Sequence, residues 1–158
     1  MLTHSFPPPF YLYLTDVSGP PKSKLIMLDL FAEVYPIYTT TESFFGTPFV
    51  YSTVFNFGGR SGMYGRLDAL AQGIADVVEG DNSVVGLGAA PEAIETSPVN
   101  YDLLFDHIFD QKKHNTDDWV KDYANRRYQS SNSQALDSLS SAWILFKRSV
   151  YNAGGSFK

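Results

Sequence analysis

The sequence predicts an α/β fold built on a parallel sheet and followed by a purely helical segment. Three observations carry this. Apolar runs of strand length alternate with stretches of helical period. The runs are apolar on both faces, which suits parallel strands covered on both sides. Beyond Lys112 the strand signal stops, and two helical patterns follow in direct succession.

Residues 1–24 are Pro-rich and irregular, and Gly19-Pro20-Pro21 breaks the chain just before the first strong signal. Lys24 to Leu30 is a continuous apolar run. Phe49 to Phe57 is a second, rich in β-branched and aromatic residues, and Val84 to Leu87 begins a third. Between the second and third, Met63, Leu67, Leu70, Ile74 and Val77 recur on one face of a helix, which Gly80 and Asp81 should end. Ser97-Pro98 reads as an N-cap followed by proline at the first helical position, with Val99, Leu103 and Ile108 on the apolar face. Thr116-Asp117-Asp118 reads as the start of a helix through Trp119, Tyr123 and Tyr128. Ser133 starts another, with Leu136, Leu139, Trp143, Phe146 and Val150 expected in the core. Arg126-Arg127 and Lys147-Arg148 read as solvated helix faces. The expected division is an irregular 1–24, an α/β portion over 25–112 and a helical portion over 113–158. Three parallel strands leave two open edges, so the pattern asks for more chain than these 158 residues supply.

Composition narrows the function. With 44% apolar and 15% aromatic residues the chain can build a core. A net charge of -5 argues against nucleic acid or an anionic membrane as the main partner. No stretch approaches the ~20 apolar residues needed to span a bilayer. Phe10 to Leu14 makes a poor signal peptide, because prolines and no basic residues precede it. The chain has no cysteine, and His4, His107 and His114 show no ligand spacing, so no metal site is expected.

Three features could carry chemistry. The first is the glycine-rich turn Gly58-Gly59-Arg60-Ser61-Gly62, which joins a strand to a helix. It lacks the spacing of a phosphate-binding loop and suits a tight turn lining a pocket. The second is Glu92 in Ala89-Ala90-Pro91-Glu92, directly after the third strand. Residues at the C-terminal ends of barrel strands form active sites, although a surface glutamate before a helix is the commoner case. The third is the carboxylate pair Asp29 and Glu33, also at a strand end. Such a pair would suit glycoside hydrolysis, but loop-ordering is the commoner role.

Several stretches together resemble the α-N-acetylglucosaminidases, a glycoside hydrolase family that includes the lysosomal enzyme of heparan sulfate breakdown. They are LDLFAEVYPIY (28–38), GTPFVYSTVFNFGG (46–59), MYGRLDAL (63–70), VGLGAAPEAIETSPVNYDLLF (85–105), DDWVKDYANRRY (117–128) and AWILFKRSVYN (142–152). The resemblance implies that the runs are the last three βα units of a (β/α)8 barrel, incomplete here, followed by the start of a helical C-terminal domain. It implies a retaining, exo-acting mechanism on terminal α-linked N-acetylglucosamine that uses two glutamates and no cofactor. Glu92 maps onto the nucleophile, while Phe57 and Val54 map onto the sugar pocket. The general acid/base has no matching position in this chain. By the same resemblance the location is lysosomal or secreted. Tyr51-Ser52, Phe55, Arg60 and Ala93 depart from the family's usual residues, which bears on substrate preference. A non-catalytic sugar-binding relative, and an unrelated α/β protein using the glycine turn, stand as the alternatives.

Overall fold

The computed structural model describes residues 25–55, 65–92, 97–110 and 114–153 of the chain. Its sheet contains β1 (Met27–Asp29), β2 (Phe49–Thr53) and β3 (Val84–Ala89), in that spatial order and parallel throughout. Among the described residues four long right-handed α-helices accompany the strands: α1 (Leu67–Gly80) between β2 and β3, then α2 (Pro98–Asp110), α3 (Thr116–Tyr128) and α4 (Ser133–Phe146) after β3. The last runs into a wider π-helical turn, Lys147–Tyr151. Strand, helix, strand, helix, then helix alone is the order that the apolar periodicity predicts.

One face of the sheet carries the core. Phe49 and Tyr51 are 0% and 1% exposed. The Tyr38 ring stacks on Phe49 at 5.4 Å, and Phe44 tilts against the same ring at 5.3 Å. Helix α1 supplies Leu67, Leu70, Ala71, Ile74 and Val77 to this core. It approaches closely enough at Gly73 that a Cβ there would meet the Tyr51 hydroxyl at 2.7 Å. Each fully buried aromatic or aliphatic side chain here contributes about 1.5–3 kcal/mol through removal from water. The opposite face is open among the described residues. It presents Leu28, 59% exposed, together with Val50 and Gly86 from the same row of the ladder.

Two local irregularities shape the sheet. Phe49 pairs with Val84 but Val50 pairs with Gly86, so Val85 bulges out of β3 and is exposed. Between β1 and β2, the helical turn Glu42–Gly46 is left-handed: Ser43, Phe44 and Phe45 have φ of 56°, 52° and 56°. Such a conformation costs L-residues roughly 1–2 kcal/mol each. Burial of Phe44 against Phe49, and the Ser43 hydroxyl donating to Asp81, offset that cost.

The structure corrects several sequence expectations. Helix α1 begins at Leu67, after Arg66 at φ 54°, and Met63 lies outside the described residues. The cap of α3 is Asn115, whose side chain accepts from the amides of Asp117 and Asp118, so Thr116 is already helical. On α4 only Trp143 is fully buried; Phe146 is 46% exposed, and Leu136 and Leu139 are half-buried. Lys147 is no solvated face. Its side chain is 8% exposed, and its ammonium pairs with Asp68 at 2.9 Å and Asp117 at 2.5 Å. The π-helical turn sets Lys147 between α1 and α3, and Asn152 adds hydrogen bonds to the amide and carboxylate of Asp68.

This knot ties α1 to the helices after residue 114. Burial of Asp68 is outweighed by hydrogen bonds from Thr116 and Lys147, which hold its carboxyl below the ordinary 3.8. Hydrogen bonding from Lys147 lowers Asp117 likewise. Lys147 itself is raised, because its burial is outweighed by its two carboxylate partners. Lowered carboxylates stabilise the fold above their unfolded value and lose that contribution as pH falls through the folded one. Lys147→Met is therefore expected to cost roughly 1–2 kcal/mol at pH 7, discounted because both carboxylates are partly exposed. In urea unfolding, the gap between wild type and variant should shrink once the pH falls below 3.8. A gap of equal size at pH 7 and pH 3 would refute the ion-pair account.

Candidate functional site

Parallel strands deliver all their C-terminal ends to one side of the sheet, and here the polar groups gather on that side. Asp29 closes β1, Thr53 closes β2 and Ala89 closes β3. The ladder continues one step further, with Ala90 N–H donating to the Thr53 carbonyl at 2.8 Å. Glu92 stands two residues beyond that bond and is exposed.

Asp29 and Glu33 are buried, 3% and 6% exposed, and both are engaged by backbone. Tyr38 N–H donates to Asp29 Oδ2 at 3.0 Å, which fastens the turn after β1. Glu33 Oε1 accepts from Val54 N–H and Phe55 N–H, each at 2.9 Å. Its other oxygen, Oε2, is buried without a hydrogen-bond partner among the described residues. Burial raises the Glu33 carboxyl, against the lowering effect of those two amides and the charge of Arg66. Burial likewise raises Asp29, opposed by the Tyr38 amide. The reading of this pair as loop-ordering groups is the one their geometry fits.

Val54 is 5% exposed and held on both sides. Its amide binds Glu33, and its carbonyl accepts the Tyr101 hydroxyl at 3.2 Å. Phe55 follows at φ 56°, a left-handed conformation stabilised by its bond to Glu33 and by the Tyr101 ring edge-on at 5.5 Å. Tyr101 stands on α2, four residues after Ser97, so the start of α2 buttresses the end of β2. Burial first, then the nearby Glu33 charge, pushes the Tyr101 phenol up to about 12. Phe57 and the glycine turn that follows it lie outside the described residues.

Sequence reasoning missed Tyr101. Its signal was faint: a tyrosine in the first turn of a helix whose apolar body suits a core and whose hydroxyl then needs a partner. It also missed the meeting of His107 and His114, whose rings lie 4.4 Å apart although they stand seven positions apart in the chain. Burial lowers the His107 imidazole. Among the described residues no group of three metal-ligating side chains converges.

A parallel sheet backed by helices, with carboxylates at the C-terminal strand ends, defines an α/β domain of the class that builds its site above the strands. Residues 12–111 match the family model for the α-N-acetylglucosaminidase (NAGLU) tim-barrel domain. Human α-N-acetylglucosaminidase is 40% identical over 139 residues, covering 85% of this chain and 18% of that protein. The chain belongs to the α-N-acetylglucosaminidase family. Among solved structures, a Clostridium perfringens family 89 enzyme with two glutamates changed to glutamine, in complex with its substrate GlcNAc-α-1,4-galactose, is 34% identical. It matches with a TM-score of 0.71 over 84% of this chain and 14% of that one. A family 89 glycoside hydrolase from the same organism in complex with PUGNAc gives 33% identity and a TM-score of 0.73, over 87% and 15%. This chain thus spans under a fifth of the length of these relatives.

The Tyr101 buttress has a measurable value. Tyr101→Phe removes one neutral hydrogen bond and keeps the ring, and is expected to cost about 0.5–1.5 kcal/mol in denaturant unfolding. Tyr101→Ala should cost more, because the edge-on contact with Phe55 goes too. Equal stability of all three proteins would show that α2 does not support the end of β2.

Proposed function

We propose that this chain contributes the closing βα units of a glycosidase barrel that removes terminal α-linked N-acetylglucosamine. Further strands from sequence outside this chain would complete the barrel. The observation that carries the reading is the placement of Glu92. It follows β3 on the side of the sheet where the strand ends gather, inside the family match and the stretch resembling the family's nucleophile motif. The clostridial relative was captured with its substrate as a double glutamate-to-glutamine variant, which accords with a mechanism that needs two glutamates.

On this reading Glu92 attacks the anomeric carbon while a second carboxylate about 5–5.5 Å away protonates the leaving oxygen. The same acid then activates water to release the sugar with its configuration retained. Asp29 and Glu33 are poor candidates for that acid, because backbone amides already occupy them. The acid is therefore assigned to a strand outside this chain. Val54 and Phe57 line the sugar pocket, and no metal or cofactor takes part. Residues 25–112 form the barrel portion and 113–158 begin a helical domain. A lysosomal or secreted location goes with the family; no helix among the described residues is long and apolar enough to cross a membrane.

The test uses a polypeptide that carries this chain together with the strands that complete the barrel. It should hydrolyse an aryl α-N-acetylglucosaminide and release the α-anomer first, as followed by NMR. Glu92→Gln should lower kcat by more than about 10²–10⁴-fold with the fold intact. Initial release of the β-anomer, or near-normal turnover by the variant, would overturn the assignment. The 158 residues alone should show no turnover, since one carboxylate of the pair is missing. Robust activity from them would move the acid to Asp29 or Glu33.

A further inference from the structure

The buried carboxylate of Glu33 accepts two hydrogen bonds from the chain leaving β2. Burying a carboxylate that is 6% exposed is costly unless hydrogen bonds compensate, and here two backbone amides do so. The two amides belong to Val54 and Phe55, and Phe55 is held in a left-handed conformation open to few non-glycine residues. Without the carboxylate, that backbone has strong reason to relax to φ below zero, and the chain would leave β2 in another direction.

We propose that Glu33 is a positioning residue for the sugar pocket, fixing through the amides of Val54 and Phe55 the path by which the chain leaves β2. This rests on the reading above that Val54 belongs to that pocket. Glu33 reaches across from the turn after β1, where Ala32 N–H also bonds the Ser52 carbonyl at 3.0 Å. Tyr101 holds the Val54 carbonyl from α2, after β3. The end of β2 is thus gripped from both neighbouring βα units, and Glu33 is the charged half of the grip. Its Oε1 alone accepts both amides, so what matters is an oxygen at that reach, not the charge.

Two variants separate reach from charge. Glu33→Gln keeps an acceptor oxygen at full length and removes the charge. Glu33→Asp keeps the charge and draws the oxygen back by one methylene. In the completed barrel, Glu33→Asp should raise KM about 10–10²-fold with kcat per folded active site little changed, whereas Glu33→Gln should stay close to wild type. Hydrogen exchange gives a readout independent of activity: the Val54 and Phe55 amides should lose protection in Glu33→Asp and keep it in Glu33→Gln. The opposite ranking, with Glu33→Asp normal and Glu33→Gln impaired, would overturn the proposal. So would unchanged protection of both amides in Glu33→Asp, or a loss confined to kcat with one limb of the pH profile removed. If the wild-type barrel hydrolyses no α-N-acetylglucosaminide, the functional reading fails, and the exchange experiment still decides whether Glu33 holds this backbone.

Discussion

Burial of Phe49 and Tyr51 on one face of β2 is the constraint from which the rest follows. β2 pairs with a neighbour on each side, and its apolar face is closed by rings from the preceding turns and by α1. With that face fixed, the parallel register of β1 and β3 is fixed too, because a slip of one residue would turn Phe49 and Tyr51 to the open side. The strand ends then fall together, and the Glu33 carboxylate after β1 meets the Val54 and Phe55 amides after β2 across 21 and 22 residues of chain.

The division of labour between carboxylates is set by their surroundings. Asp29 and Glu33 are withdrawn from water and spent on backbone amides, so they act on the chain itself. Glu92 lies on an exposed segment past β3. The same residue type serves scaffold and proposed chemistry within one end of the sheet, and burial decides which.

The alternation of strands and helices was legible in the sequence because each element carries a strong apolar period: in α1, Leu67, Leu70, Ile74 and Val77 repeat at helical spacing and all four are buried. Helix starts were less legible. Asn115 outcompetes Thr116 as a cap because its carbonyl reaches two amides at once, and no pattern of apolar residues records that. Lys147 was misread for a similar reason. A lysine on a helix normally faces solvent, and only the π-helical turn, which shifts the residues after Phe146 around the axis, carries it inward to Asp68 and Asp117. At the site, Glu33 and Asp29 could be suspected from their position after a strand. Which backbone they hold depends on contacts across 9 to 22 residues of chain, and sequence periodicity carries no information at that range.

The bulge at Val85 bears on how this part of the chain tolerates changes in length. Val84 and Gly86 face consecutive residues of β2, and Val85 stands outside the ladder between them. Removing that one codon would leave a regular strand with Leu87 still opposite Tyr51 and Ala89 still opposite Thr53. Removing one from Gly86 onward would instead turn the rest of the strand over and carry Glu92 to a different height above the sheet. Insertions and deletions accumulated over evolutionary time should therefore be concentrated at this one position of β3 and excluded from the residues between it and Glu92.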